Sequence, residues 1–71
     1  MVKYIIIIEK SGTGYSAYVP DLPGCIATGK TKAIVEKNIF EAIQFHLEGL
    51  KEEHIKIPFP RTEAETFVFA I

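Results

Sequence analysis

Apolar residues fall along this chain in blocks of two different periods. Val2–Glu9 is dense in β-branched and aromatic residues, with Val2, Tyr4, Ile6 and Ile8 on one alternating face and Ile5 and Ile7 on the other. Such a stretch predicts a strand. A strand covered on one side only shows polar residues on its second face, so this one is expected to be central and to need cover on both faces. Lys10-Ser11-Gly12-Thr13-Gly14 reads as the turn of a hairpin, and Tyr15–Val19 as its return strand. Pro20-Asp21-Leu22-Pro23-Gly24 stops that strand, because two prolines lack N–H donors and Gly24 tolerates positive φ. Cys25–Thr28 is then a short third strand closed by Gly29. Beyond it the period changes. Val35, Ile39, Ala42, Ile43, His46, Leu47 and Leu50 recur at helical spacing, which predicts a helix over about Lys32–Glu52 with Thr31 as its N-cap and Gly49 as a weak point near its end. Glu53–Arg61 is a connector, with Ile57-Pro58-Phe59-Pro60 held extended by its prolines. Thr62-Glu63-Ala64-Glu65 has capping-box spacing for one helical turn. Thr66–Ile71 reads as a last strand, with Phe67, Phe69 and Ile71 on one face.

The order β-β-β-α-β and a right-handed crossover place the last strand parallel to the first. The expected architecture is α+β: a four-stranded mixed sheet in the order 3-2-1-4 with the helix on one face. Nothing in the chain covers the other face, so a second copy or a partner is expected there, and the expected state is a dimer or higher oligomer. The helix needs the larger apolar set of the first strand, which leaves Ile5 and Ile7 as the oligomer interface. On the helix, Ile34 and Phe45 lie off the core stripe, on a flank shared with Asn38 and Glu41. A second apolar patch of this kind meets another chain.

Composition narrows the class of protein. The 71 residues (8.0 kDa) suffice for one domain, 1–71, of marginal stability on its own. A hydrophobic content of 48% excludes a disordered tail. Eight Lys and Arg against nine Asp and Glu give a net charge of −1, which argues against a free-standing nucleic-acid binder. One cysteine makes no internal disulfide, and the run Tyr4–Ile8 is too short to span a bilayer. A cytoplasmic protein without membrane contact is expected.

Several residues invite a chemical reading. Gly24-Cys25-Ile26-Ala27-Thr28-Gly29-Lys30-Thr31 satisfies the G-x-x-x-x-G-K-[ST] phosphate-loop pattern. Its middle is strand-like rather than a glycine-rich loop, and no strand ends in an aspartate to hold a metal, so the match reads as strand, glycine turn and N-cap. Glu9, Asp21 and Glu41 resemble a metal-binding carboxylate set only loosely, since carboxylates at strand ends and on helix surfaces are normally solvated. His46 falls on the core stripe. His54, near the helix end, suits the dipole and has no second ligand beside it. Cys25 reads as a small packed apolar residue, with no neighbouring histidine in sequence to activate it. Tyr4, Tyr15 and Tyr18 lack the basic surround of an RNA-stacking sheet. No catalytic, metal-binding or cofactor-binding residue is assigned, and no cofactor is expected.

Gly14-Tyr15-Ser16-Ala17-Tyr18-Val19-Pro20-Asp21-Leu22-Pro23-Gly24-Cys25 resembles the signature of HicB-family antitoxins. So do Gly29-x-Thr31, Asn38-Ile39-x-Glu41-Ala42-Ile43 and Ile57-Pro58-x-Pro60. The resemblance implies a partial RNase-H-like fold without a nuclease site and, as partner, a HicA-type toxin, a small protein that cuts messenger RNA. The chain departs from the family at Lys32-Ala33-Ile34, where acidic residues usually follow the N-cap threonine. Many family members continue into a DNA-binding domain; this chain stops after Ile71, so direct autorepression through such a domain is not expected.

Together these readings give a non-enzymatic antitoxin module, acting as an oligomer, that masks its toxin's RNA-cleaving surface. Asp21, Ile34, Asn38 and Phe45 are the candidate partner-binding residues. The rival readings are a minimal RNase-H-like metal-dependent nuclease using Glu9 and Asp21, and an orphan oligomeric domain with no toxin partner.

Overall fold

Gly12 and Thr13 alone make the turn between the first two strands, β1 (Ile7–Ser11) and β2 (Gly14–Tyr18), in the computed structural model, which describes all 71 residues. The strands pair antiparallel from Ile7 opposite Tyr18 to Ser11 opposite Gly14. β3 (Ile26–Gly29) pairs antiparallel with the other side of β2, so the sheet order is β1-β2-β3. One row across the sheet is Ile8, Ala17 and Ala27; the neighbouring row is Ile7, Tyr18 and Ile26. Because side chains alternate along a strand, the two rows point to opposite faces.

Helix α1 (Lys32–Glu52) follows β3 at once and packs on the first of those faces. Its start is the predicted one: the Ile34 N–H donates to Thr31 Oγ1 at 3.1 Å, satisfying an amide that has no intrahelical partner. Its end is closed in Schellman fashion, with the Ile55 N–H donating to the Leu50 carbonyl at 2.9 Å and the His54 N–H to that of Lys51 at 3.1 Å. His54 holds the left-handed position (φ 56°) that glycine usually takes. Gly49 does not interrupt the last turn. All seven residues of the predicted stripe are buried or half-buried.

The core is small. Ala17, Val19, Leu22, Cys25, Val35 and Ile39 are buried, and Tyr4, Ile8, Tyr15, Ala27, Ala42, Ile43 and Leu47 pack against them. Tyr4 and Ile8 therefore lie on the helix side of the sheet.

Three expectations need correction. The first strand begins at Ile7 rather than Val2, because β2 ends at Tyr18 and Pro20 beyond it has no N–H to pair with residues further back. Thr62–Glu65 forms no helical turn; its capping-box spacing is overridden by a bond from Thr62 to Asp21 described below. Thr66–Ile71 forms no ladder within the chain. The chain alone therefore has three strands, and the order 3-2-1-4 is present only as 3-2-1. Without a fourth neighbour β1 is an edge strand rather than a central one.

Candidate functional site

Two fused turns make the loop between β2 and β3. The Leu22 N–H donates to the Val19 carbonyl at 3.1 Å, closing a turn with Pro20 second, and the Cys25 N–H donates to the Leu22 carbonyl at 3.0 Å, closing one with Pro23 second and Gly24 third. Gly24 sits at φ 82°, the value the third residue of a type II turn requires. A bond from the Val19 N–H to the Cys25 carbonyl at 3.2 Å ties the base. Proline, glycine and leucine each have a separate task here: the prolines preset φ, the glycine takes the left-handed corner, and Leu22 is driven fully into the core.

Asp21, the polar residue of this loop, is occupied within the chain. Its Oδ2 accepts the backbone N–H of Arg61 at 2.9 Å and of Thr62 at 3.0 Å, and its Oδ1 accepts the Thr62 hydroxyl at 2.8 Å. These bonds fasten a segment 40 residues downstream onto the loop. Tyr4 adds a second fastening, its hydroxyl donating to the Pro58 carbonyl at 2.7 Å. The loop and the connector enclose an open groove of about 470 Å³ lined by Pro20, Asp21 and Pro23 on one side and Lys56, Ile57, Pro58, Phe59 and Arg61 on the other. The Arg61 and Thr62 amides hold the Asp21 carboxyl below its ordinary pKa. Burial, followed by the nearby Asp21 charge, raises that of Tyr4.

The Asp21 shift has a pH consequence. A carboxylate with a depressed folded-state pKa contributes stability above the pKa of the unfolded chain, and loses it as pH falls through the folded value. Asp21→Asn keeps one acceptor and removes the charge. The variant is therefore expected to be less stable than wild type at neutral pH, with the gap closing as pH falls through and below the ordinary carboxylate range. Urea midpoints across that range check it; a gap constant with pH would contradict the role given to Asp21.

The predicted partner residues lie in two places. Ile34, Asn38 and Phe45 share one flank of α1, with Ile34 and Phe45 exposed, Phe45 at 80%. Asn38 is partly engaged: its side-chain amide donates to the Thr28 carbonyl at 2.8 Å. Asp21 is in the loop and its oxygens face the connector. Ile5 and Ile7, the predicted oligomer contacts, are half-buried, and the Ile7–Tyr18–Ile26 row lies on the face away from the helix. Further exposed apolar residues are not among the predicted contacts: Ile26 at the end of that row, Phe40 on the other helix flank, Ile55 just past the helix and Phe59 beside the groove. The first two were visible as apolar residues at positions that alternation or helical spacing turns away from the core.

The remaining chemistry does not assemble. No group of three or more His, Cys, Asp or Glu side chains converges, so Glu9, Asp21 and Glu41 do not form a ligand set. Cys25 is buried in the core, and desolvation raises its thiol pKa, keeping it protonated. His46 is half-buried on the packed helix face. No helix is long and apolar enough to cross a membrane.

Comparison with known proteins gives a consistent result. A family model described as "HicB_like antitoxin of bacterial toxin-antitoxin system" matches residues 4–68. A UPF0150 protein of Thermoplasma acidophilum is 46% identical over 66 residues, covering 92% of this chain and 96% of that protein. An uncharacterised 14.9 kDa protein of Haemophilus phage HP1 is 46% identical over 55 residues, covering 78% of this chain; the chain spans only 41% of that protein's length. Among solved structures, a chain of a "HicA3 and HicB3 toxin-antitoxin complex" matches with a TM-score of 0.69 and 36% identity, over 89% of this chain and 72% of that one.

Proposed function

This chain belongs to the HicB-like antitoxins of bacterial toxin–antitoxin systems, and we propose that it binds a HicA-type toxin and covers the toxin's RNA-cleaving surface without itself catalysing a reaction. The observation that carries this reading is the match, at 36% identity over 89% of the chain, to a chain of a toxin–antitoxin complex. In this reading the fold is partial RNase-H-like and the place of action is the cytoplasm.

The exposed flank of α1 is the contact we assign to the toxin. Ile34 and Phe45 present apolar surface in water on a rigid helix, and the centres of protein interfaces are built from anchors of this type. Asn38 and Asp21 act on that contact through the fold. Asn38 ties the helix to β3, and Asp21 holds the connector against the loop. The protein acts as an oligomer, with the Ile7–Tyr18–Ile26 row and Ile5 turned toward a second copy.

The test is binding to a purified HicA-type toxin, measured by titration calorimetry and by rescue of growth on co-expression. Phe45→Asp is expected to weaken binding about 100-fold, or about 2.7 kcal/mol, without loss of helix content, because Phe45 is largely exposed in the free chain and lies outside its core. Unaltered rescue by Phe45→Asp would move the contact elsewhere. Metal-dependent RNA cleavage by the purified chain, lost in Glu9→Gln, would overturn the reading as a whole.

A further inference from the structure

The chain carries both halves of a strand pairing that it does not itself make. One half is the edge of β1. This strand is hydrogen-bonded to β2 alone, and its other side presents unpaired backbone donors and acceptors. The opposite rim of the sheet is treated differently: at Thr28 of β3 the strand carbonyl is taken by the Asn38 amide. The other half is Thr66–Ile71. Thr-Phe-Val-Phe-Ala-Ile contains no proline, glycine or charged side chain, and alternates as a strand does. All six residues are exposed, Phe67 at 71%, Val68 at 94% and Phe69 at 76%. Soluble monomers do not normally leave such a run in water.

The root of this tail is fixed. Asp21 holds the Arg61 and Thr62 amides, and Thr62–Glu65 lines a cleft with Lys3, Tyr4 and Ile5, just ahead of β1. From that anchor the last six residues stand clear of the body. The molecule is 49 Å long against 26 and 18 Å in its other dimensions, whereas its helix spans only about 32 Å.

We propose that Thr66–Ile71 is an exchanged strand: it adds to the free edge of β1 in a second copy, whose own tail returns the contact, so that each sheet receives its fourth strand from the other chain. A second copy is the occupant because every chain brings one donor strand and one vacant acceptor edge, in equal number, and the exchange closes with neither left over. The area is also sufficient. A buried aromatic side chain removes roughly 150–250 Å² from water, so two phenylalanines per copy account for on the order of 600–1,000 Å² of a reciprocal pair. The surfaces they cover, with Val68 and Ile71, bring this to the ~1,600 Å² of a stable interface. This inference rests on the self-association proposed above and is independent of the toxin.

Hydrogen exchange on the full chain, read by mass spectrometry alongside light scattering, tests it. The amides of 66–71 are expected to be protected at tens of micromolar and to lose that protection on dilution to the point where the oligomer dissociates. Phe67→Asp combined with Phe69→Asp is expected to weaken self-association at least 100-fold while leaving helix content unchanged, since these side chains are largely exposed in the isolated chain and lie outside its core. Protection that survives dissociation would place the tail on its own sheet and overturn the proposal. An oligomer whose tail exchanges freely, or that persists in the double variant, would overturn it too. Ile7→Glu separates the two contacts: an oligomer lost in Ile7→Glu but kept in the double variant retains the sheet-face contact and removes the exchange.

Discussion

Leu22→Ala is expected to destabilise the domain by about 2–5 kcal/mol, the largest loss from any single truncation in this chain. Leu22 is fully buried and heads the side chains that are. Around it lie Ala17, Val19, Cys25, Val35 and Ile39, which together make the entire buried core. A chain of this length has a total stability of about 4–10 kcal/mol, so the variant sits close to the folding threshold. Its melting temperature should fall by roughly 10–30 °C at fixed protein concentration. The loss is not confined to the vacated volume. Leu22 donates its N–H to Val19 and accepts from Cys25, so a leucine drawn into the core is also what holds both turns of the loop closed. Denaturation followed by circular dichroism measures it. A loss below about 1 kcal/mol would mean that the loop hinges away from the core without disturbing the sheet.

The parts of this fold legible in the sequence are those set by local chemistry. The helix bounds follow from a threonine cap, a 3.6-residue period and the residues that end it, all within one segment, and they are found where they are expected. The Pro-Asp-Leu-Pro-Gly loop is likewise local, since each of its turns spans four residues. What was not legible depends on partners distant in the chain. The first strand starts at Ile7 because of where β2 stops, which no pattern within Val2–Glu9 records. The partners of the Asp21 carboxylate within the chain lie at Arg61 and Thr62, about forty residues away, and no residue pattern around Asp21 points to them. Thr66–Ile71 has the composition of a strand, but whether a strand pairs depends on a neighbour, and composition names none.

Gly29→Ala is expected to cost about 2–3 kcal/mol, in the upper part of the range for overpacking, whereas Lys30→Ala beside it should stay within about 0.5 kcal/mol. The two residues lie near the end of the stretch Gly24–Thr31 that imitates a phosphate loop, and the structure gives that stretch another purpose. Ile26–Gly29 pairs rung by rung with β2, from Tyr18 opposite Ile26 to Tyr15 opposite Gly29, so its backbone is committed to a sheet rather than wrapped around an anion. The second glycine is where sheet and helix meet. A Cβ on Gly29 would stand 2.6 Å from the Val35 backbone nitrogen and 2.9 Å from Ile34 Cγ2. The first of these is helix backbone, which cannot swing aside as a flexible side chain can. To admit a methyl group, the first turn of α1 must lift from β3, taking Val35 partly out of the core and displacing Ile34 on the flank assigned to the toxin. Loss of stability and of toxin binding should therefore appear together in Gly29→Ala. In Lys30→Ala neither should change, with or without Mg-ATP, because an exposed lysine contributes little. A phosphate loop would reverse this contrast: stabilisation by Mg-ATP in the wild type that disappears in Lys30→Ala would restore the nucleotide reading and displace the structural one.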